Sequence, residues 1–410
     1  MALIGREPGR KPGPNSSAPI KAGIPVSLTG QFQVQGNQAL AGLQAWAFDV
    51  NRSGGISPGM TGVTPNAPRA VEVVFHDDSS TVGGVRRATE ALITQDRVDL
   101  LFGPYSSLLT AEAAAAAEDH HRVLWNQGGA AGDVHDQGYQ GIVGILTPAS
   151  EYLAGLLPLV RATDGAARTV GIIRSSRGTF PGAVTSAVER DAVGLGFRIA
   201  FVWEYDPSET GFRESARDLA AAAAGQRPDV LVAVGRIPND LVLAESLNEW
   251  SGAFKAVAVV AAPIDQFRQA LGGGTDGFLG PSQWEQAARY PGEYGPSAAE
   301  VMDSLARQSG LAVDYPMVQA YAAGLVAQRC VETAGSLDDR ALRGAADRLD
   351  FSTFYGRFKI EPRSGRQVGR KVVLVQWQEG HKTLVWPPEQ RQAPLVYPWR
   401  GGRVKREPDF

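Results

Sequence analysis

The feature that most constrains this chain is an alternation. From Ile20 onward, short apolar runs of strand length alternate with longer stretches of helical period. The strand-like runs are Lys21–Leu28, Val71–Phe75, Val98–Phe102 and Val123–Trp125, then after a break Thr169–Ile173, Arg198–Trp203, Val230–Val234 and Ala256–Val260. Between them the spacing predicts helices near Ala39–Val50, Val85–Gln95, Leu108–Ala117, Leu153–Arg161, Ala183–Val193, Glu214–Ala224 and Leu241–Trp250. Strands separated by helices of this length mean βαβ units and parallel sheets. Two such series, with a seam near Ile145–Ser150, predict two similar α/β lobes rather than one large sheet. The period then changes. Three helical stretches follow at Ala298–Gln308, Gln319–Thr333 and Asp338–Leu349, the last starting at Asp338-Asp339, where negative charge suits the helix dipole. Gly356–Ile360 and Val372–Gln378 read as a hairpin around Ser364-Gly365, and the tail from Trp386 to Phe410 as an extended strap frayed at its end.

At 410 residues the chain has room for two or three cores. Forty basic against 43 acidic side chains leave a net charge of -3, and no basic run supplies the field that a nucleic-acid partner requires. The single cysteine, Cys330, excludes internal disulfides and thiolate metal clusters; it lies in a helical pattern and reads as a buried apolar residue. No apolar stretch approaches the ~18 residues that span a bilayer. Met1 to Ile20 has basic, proline and glycine residues but no apolar core, and reads as a disordered leader rather than a signal peptide.

Catalytic and cofactor signatures are weak. The one G-x-G-x-x-G, at Gly272–Gly277, follows a helix-like segment instead of a strand, which argues for a loop rather than a dinucleotide site. A Walker A sequence is missing. His76-Asp77-Asp78 and Asp119-His120-His121 place potential ligands side by side, where adjacent residues rarely address one ion, so both read as solvated turns. The expectation is no metal and no cofactor.

The informative positions are where strands end, because ligands of open α/β sheets bind there. The junctions are Leu28-Thr29-Gly30-Gln31-Phe32-Gln33-Val34-Gln35-Gly36, Gly103-Pro104-Tyr105-Ser106-Ser107 and Asn126-Gln127-Gly128-Gly129-Ala130. Each combines glycine with hydroxyl or amide side chains. Ser106 or Ser107 sits where a helix N-terminus would seat a carboxylate, or simply caps that helix.

These junctions together resemble the type I solute-binding proteins of ABC transporters, the leucine/isoleucine/valine-binding kind. The marks are Ser27-Leu28-Thr29-Gly30, Gly36, Gly42, Asp49-Val50-Asn51-Arg52-Ser53-Gly54-Gly55-Ile56, Asp77-Asp78-Ser79-Ser80, Gly103–Ser107, Tyr315 and Tyr321-Ala322-Ala323. Their order and spacing cover roughly Ile20 to Trp386. The resemblance implies an α/β, two-lobed type I periplasmic-binding-protein fold, each lobe a mostly parallel sheet flanked by helices, with hinge crossovers near Thr147–Ser150, Gly277–Pro281 and Ser352–Gly356. The implied division is a leader over 1–19, a first lobe of 20–147 plus 278–352, a second of 148–277 plus 353–386, and a C-terminal extension over 387–410.

The same resemblance assigns the cleft. Ser107, with Ser106 beside it, matches a hydroxyl that holds a ligand carboxylate. Gly128 and Ala130, with Gly129 between them, match the segment meeting carboxylate and α-amino group, although Ala130 lacks the expected hydroxyl. Gln35, Phe180 and Arg236 fall on aromatic positions, and Tyr315 near another. Around 262–265 only Asp265 is acidic, where the family's partner for an α-ammonium belongs. These departures put a standard branched-chain amino acid in doubt. Arg236 suits a carboxylate unless it is only a surface cation, and Tyr105, Phe180 and Trp284 suit a flat ring, Trp284 alternatively being a core or hinge aromatic. The implied function is non-enzymatic capture of a carboxylate-bearing solute (amino acid, amide or aromatic acid) by a monomer outside the cell membrane, for membrane transporter subunits. The alternative is a cytosolic amide or amino-acid sensor of the same fold; an enzyme is a more distant rival.

Overall fold

A computed structural model describes residues 18–58, 60–61, 64–65 and 67–401. Most of the expected leader and the last nine residues of the tail lie outside these. The first sheet contains β1 (Ile20–Val26), β4 (Val71–Asp77), β5 (Leu100–Phe102), β6 (Leu124–Asn126) and β7 (Ile142–Gly144), all parallel in the order β4-β1-β5-β6-β7. Helices α1 (Gln33–Arg52), α2 (Val82–Thr94) and α3 (Ser107–Asp119) make the crossovers, and β2 (Met60–Thr61) with β3 (Thr64–Pro65) forms a minor ladder. Strands β1, β5, β6 and β7 are almost wholly buried, as strands covered on both faces must be.

After β7 the chain passes through 145–149 into the second lobe. Helix α4 (Leu156–Thr163) is followed by β8 (Thr169–Ser175), α5 (Phe180–Leu195), β9 (Arg198–Tyr205), α6 (Phe212–Gln226), β10 (Val230–Val234), α7 (Ile237–Asn248), β11 (Ala256–Val259), α8 (Asp265–Leu271) and β12 (Leu279–Ser282). The glycine cluster at Gly272 continues α8 as a 3-10 turn, so no helix opens on it. The helices α9 (Ala298–Ser309), α10 (Tyr315–Ala334) and α11 (Asp339–Arg348) return to the first lobe, where α10 lies along α1. A Cβ on Gly324 would stand 2.2 Å from the Trp46 ring, so this glycine sets how closely the two helices approach. Asp338 caps α11 by accepting from the Ala341 N–H.

Two expectations are corrected by strand pairing. The hairpin between Gly356–Ile360 and Val372–Gln378 does not form. β14 (Gly356–Phe358) pairs instead with β13 (Phe351–Thr353), and β15 (Val373–Gln378) pairs with β12 and with β16 (His381–Trp386). Glu379-Gly380 supplies two positive-φ residues, the backbone that a two-residue hairpin turn needs. Ser364-Gly365 does turn the chain, closed by the Gly365 N–H on Glu361 O at 2.8 Å, but only a single bridge, Ile360–Gln367, joins its arms.

Second, residues 279–282 pair in the second sheet, ordered β16-β15-β12-β11-β10-β8-β9, so the return crossing follows Ser282. Residues up to 367 stay with the first lobe: Gly144 N–H donates to Gly365 O (2.7 Å) and Arg343 to Pro362 O (2.8 Å). The last crossing is therefore at 368–372, not 352–356. A four-residue strand and a hydrogen-bonded loop carry no periodicity from which sequence could place them.

Candidate ligand-binding groove

The carboxyl ends of both sheets meet between the lobes. Gln35 Nε2 reaches Gln266 Oε1 across the gap, and the Asp265 N–H reaches Asp314 Oδ2, each at 3.4 Å. A cavity of about 470 Å³ lies here, with Gln35, Asp265, Gln266, Asp314 and Tyr315 in its wall.

The first-lobe wall is assembled by polar side chains. Asp77 accepts from the Leu28 and Thr29 N–H groups and the Thr29 hydroxyl, while Ser80 Oγ accepts from the Phe32 N–H. Buried Asp78 accepts from the Ser27 hydroxyl at 2.6 Å. The sequence marks 27–30 and 77–80 are thus two halves of one stapled loop pair. Burial raises the Asp77 carboxyl, but bonds from Ser79, Thr29 and Leu28 outweigh it and leave it below the ordinary range; at Asp78 burial wins and the carboxyl is raised. His76 pairs with Asp96 at 2.7 Å. Among the described residues no group of three or more His, Cys, Asp or Glu is placed to hold a metal ion.

The 126–130 loop lies directly on the 104–107 loop. A Cβ on Gly128 would meet Pro104 O at 2.1 Å, so this glycine serves loop-on-loop packing. Asn126 holds both the N–H and the carbonyl of Gly129 (2.9 and 2.7 Å). Ser107 Oγ accepts from the Ala130 and Ala131 N–H groups at 3.1 and 3.0 Å. With both lone pairs engaged, its proton is left to donate.

Ser106 has φ of 86°, a left-handed conformation uncommon for a residue with a side chain, and makes no side-chain cap to α3. The helix therefore starts with N–H groups that no side chain satisfies, and a partial positive charge. Tyr105, one residue earlier, touches Tyr315 hydroxyl to hydroxyl and stands edge-on to Phe32 (5.9 Å between centroids). Burial pushes the Tyr105 phenol up to about 12 and the Tyr315 phenol well above its ordinary value, so both remain protonated donors at neutral pH.

Contacts join Tyr105 to Tyr315, Ser106 to Gly128 and Ser107 to Ala130, while Gln35 and Tyr315 share the cavity wall. From the second lobe Phe180 begins α5 and packs edge-on against Tyr152 at 5.6 Å. Asp265 begins α8, and its carboxylate accepts from Arg268 and Gln269 of its own helix. Arg236 is exposed at the start of α7. Trp284 is 5% exposed, donates its indole N–H to Phe354 O (2.9 Å) and packs on the Phe354 ring, which places it in the core beside the second crossing. Sequence reasoning passed over Phe32, Tyr152 and Gln283. Phe32 was legible as the one aromatic of the first junction; Tyr152 and Gln283 carry no local signal.

Comparison with known proteins agrees with this fold. The sequence profile described as periplasmic binding protein matches residues 19–382. This chain belongs to the periplasmic binding protein family. That family is one of binding proteins, not an enzyme class. Similar solved structures include a leucine-binding protein from Thermotoga maritima MSB8 (16% identity, 89% of this chain and 97% of that one, TM-score 0.73). Another is the branched-chain amino acid transporter substrate-binding protein of Streptococcus pneumoniae in complex with isoleucine (16%, 90% and 100%, 0.73). A third is an ABC-transporter solute-binding protein of Rhodopseudomonas palustris in complex with 3,4-dihydroxybenzoic acid (14%, 88% and 94%, 0.72). At these identities the likeness is one of fold.

Proposed function

We propose that the protein is a receptor that captures a small carboxylate-bearing solute, an aromatic acid in preference to an α-amino acid, by closing its lobes. It then presents the solute to transporter subunits at the outer face of the membrane. The observation that carries this reading is the uncapped start of α3 beside an aromatic wall. A carboxylate there meets unsatisfied N–H groups and the committed Ser107 proton, and a ring meets Phe32, Tyr105 and Tyr315. An α-ammonium finds less: Ala130 has no hydroxyl, Asp265 is engaged by Arg268, and Asp314 accepts from two N–H groups. Relatives of the fold bind both classes, isoleucine in one and 3,4-dihydroxybenzoate in another.

Closure follows from differential affinity: a solute touching both walls stabilises the form in which both are near. Calorimetry and thermal shift with benzoate and isoleucine test the reading, since a bound solute raises apparent stability by mass action. Benzoate is expected to bind more tightly. Tighter isoleucine reverses the preference, and binding of neither, nor of related acids, ends the proposal. Cell fractionation tests the location.

A further inference from the structure

Where the chain crosses between lobes, one side chain joins all three crossings. Gln283 is 5% exposed. Its Oε1 accepts from the Thr147 N–H (3.1 Å) and from Arg370 Nη2 (2.7 Å). Its Nε2 donates to Thr147 O (2.8 Å) and to the Tyr152 phenol oxygen (2.9 Å). Because the Thr147 N–H and the guanidinium only donate, the amide can face only this way.

Arg370 is itself 8% exposed. It donates to Gln283 O (2.5 Å), Ile145 O (3.3 Å) and Tyr355 O (3.4 Å), and lies 4.0 Å from the centre of the Tyr355 ring. Among the described residues it has no carboxylate in ion-pair contact, and its Nε is buried without a partner. A buried cation without a counter-ion is costly and ordinarily avoided.

The hydrogen bonds run in one direction. Arg370 donates to the Gln283 carbonyl oxygen, Gln283 donates to Tyr152, and the Tyr152 oxygen, thus occupied, leaves its proton for another acceptor. The ring stands edge-on to Phe180, which begins α5 in the second lobe, and the phenol lies near enough to those of Tyr105 and Tyr315 to interact with them electrostatically. Such chains strengthen each member by polarisation.

We propose that Tyr152 is a ligand-contacting donor at the hinge end of the groove, and that Gln283 and Arg370 are positioning residues that aim its hydroxyl and favour a negatively charged acceptor. The groove then selects an acidic solute over its amide by this relay as well as by α3. This rests on the solute-receptor reading above.

Calorimetry on the full chain with benzoate against benzamide, and isoleucine against isoleucinamide, tests it. The wild type is expected to prefer the acids. Tyr152→Phe removes the donor and lowers the acid-over-amide ratio about ten-fold, the worth of one charge-assisted hydrogen bond. Gln283→Glu sets a carboxylate against Arg370, reverses the Tyr152 proton and lowers the ratio further. A purely structural tie would change melting temperature and leave the ratio untouched, and an unchanged ratio in Tyr152→Phe overturns the relay. That variant decides the matter alone if Gln283→Glu does not fold. Acids bound with one ratio in all forms remove the relay only; no acid bound removes the receptor reading and the relay with it.

Discussion

The two walls of the groove are held by opposite means. The first-lobe loops are pinned by polar staples, Asp77 and Asp78 across 27–29, Ser80 at Phe32 and Asn126 across 126–129. Behind the second-lobe wall the sheet is closed by an apolar plug. The C-terminal segment runs back along that lobe, and Trp399, 1% exposed, packs between Phe254 and Phe278 at 6.1 and 5.2 Å. Polar staples fix direction, so the first wall presents donors already aimed at a solute. Apolar burial fixes position without direction, which suits a wall that supplies contact area.

The largest effect should separate the two designs. Trp399→Ala is expected to cost about 3–5 kcal/mol, read as a lower denaturation midpoint, with hydrogen exchange accelerating in β11, β12 and β15 before β1 and β5. Uniform acceleration would show that the plug serves both lobes.

Ser107→Ala cuts the first wall. It leaves the Ala130 and Ala131 N–H groups without their acceptor and removes a donor, so solute affinity should fall by about 1.5–3 kcal/mol. Calorimetry with unchanged affinity would take Ser107 out of the site.

One carboxyl from each side, Asp164 and Asp78, should answer pH in opposite senses. Asp164 anchors the C-terminal segment through Tyr397 Oη (2.7 Å) and Lys255 (3.0 Å), and these bonds pull its carboxyl down to about 2. That contribution is complete above the unfolded value near 3.8 and is lost as pH falls through about 2. Asp78, raised by burial, contributes most below that value and loses its contribution as pH rises through its folded one. Carboxyl titration followed by NMR should find Asp164 below and Asp78 above the ordinary range; both on one side would erase the contrast.

Arg236→Ala should do least. The side chain is exposed at the start of α7, and stability should stay within about 0.5 kcal/mol. Loss of acid preference in this variant would move the selecting charge from the hinge to the second wall.

Much of the first wall was legible because it is local. Tyr105, Ser106 and Ser107 follow one strand and Gly128, Gly129 and Ala130 the next, and strand ends in a parallel sheet face one side. The resemblance assigns Gly128 to the solute, but the need for glycine there comes from the 104–105 loop packed against it, which sequence does not show. Sequence left Trp284 open between a ring-stacking and a core or hinge role, and its Phe354 partner, 70 residues away, decides for the core.

The amino-acid order by itself determined the alternation of strand and helix, the two lobes and the family, because those properties repeat within a few residues. Only the tertiary structure decided where the chain crosses, what plugs the second sheet and which polar groups meet at the hinge. Thr147, Gln283 and Arg370 are joined over separations of 136 and 87 residues. A buried polar contact leaves no period in the sequence; its partner exists only once the chain has closed on itself.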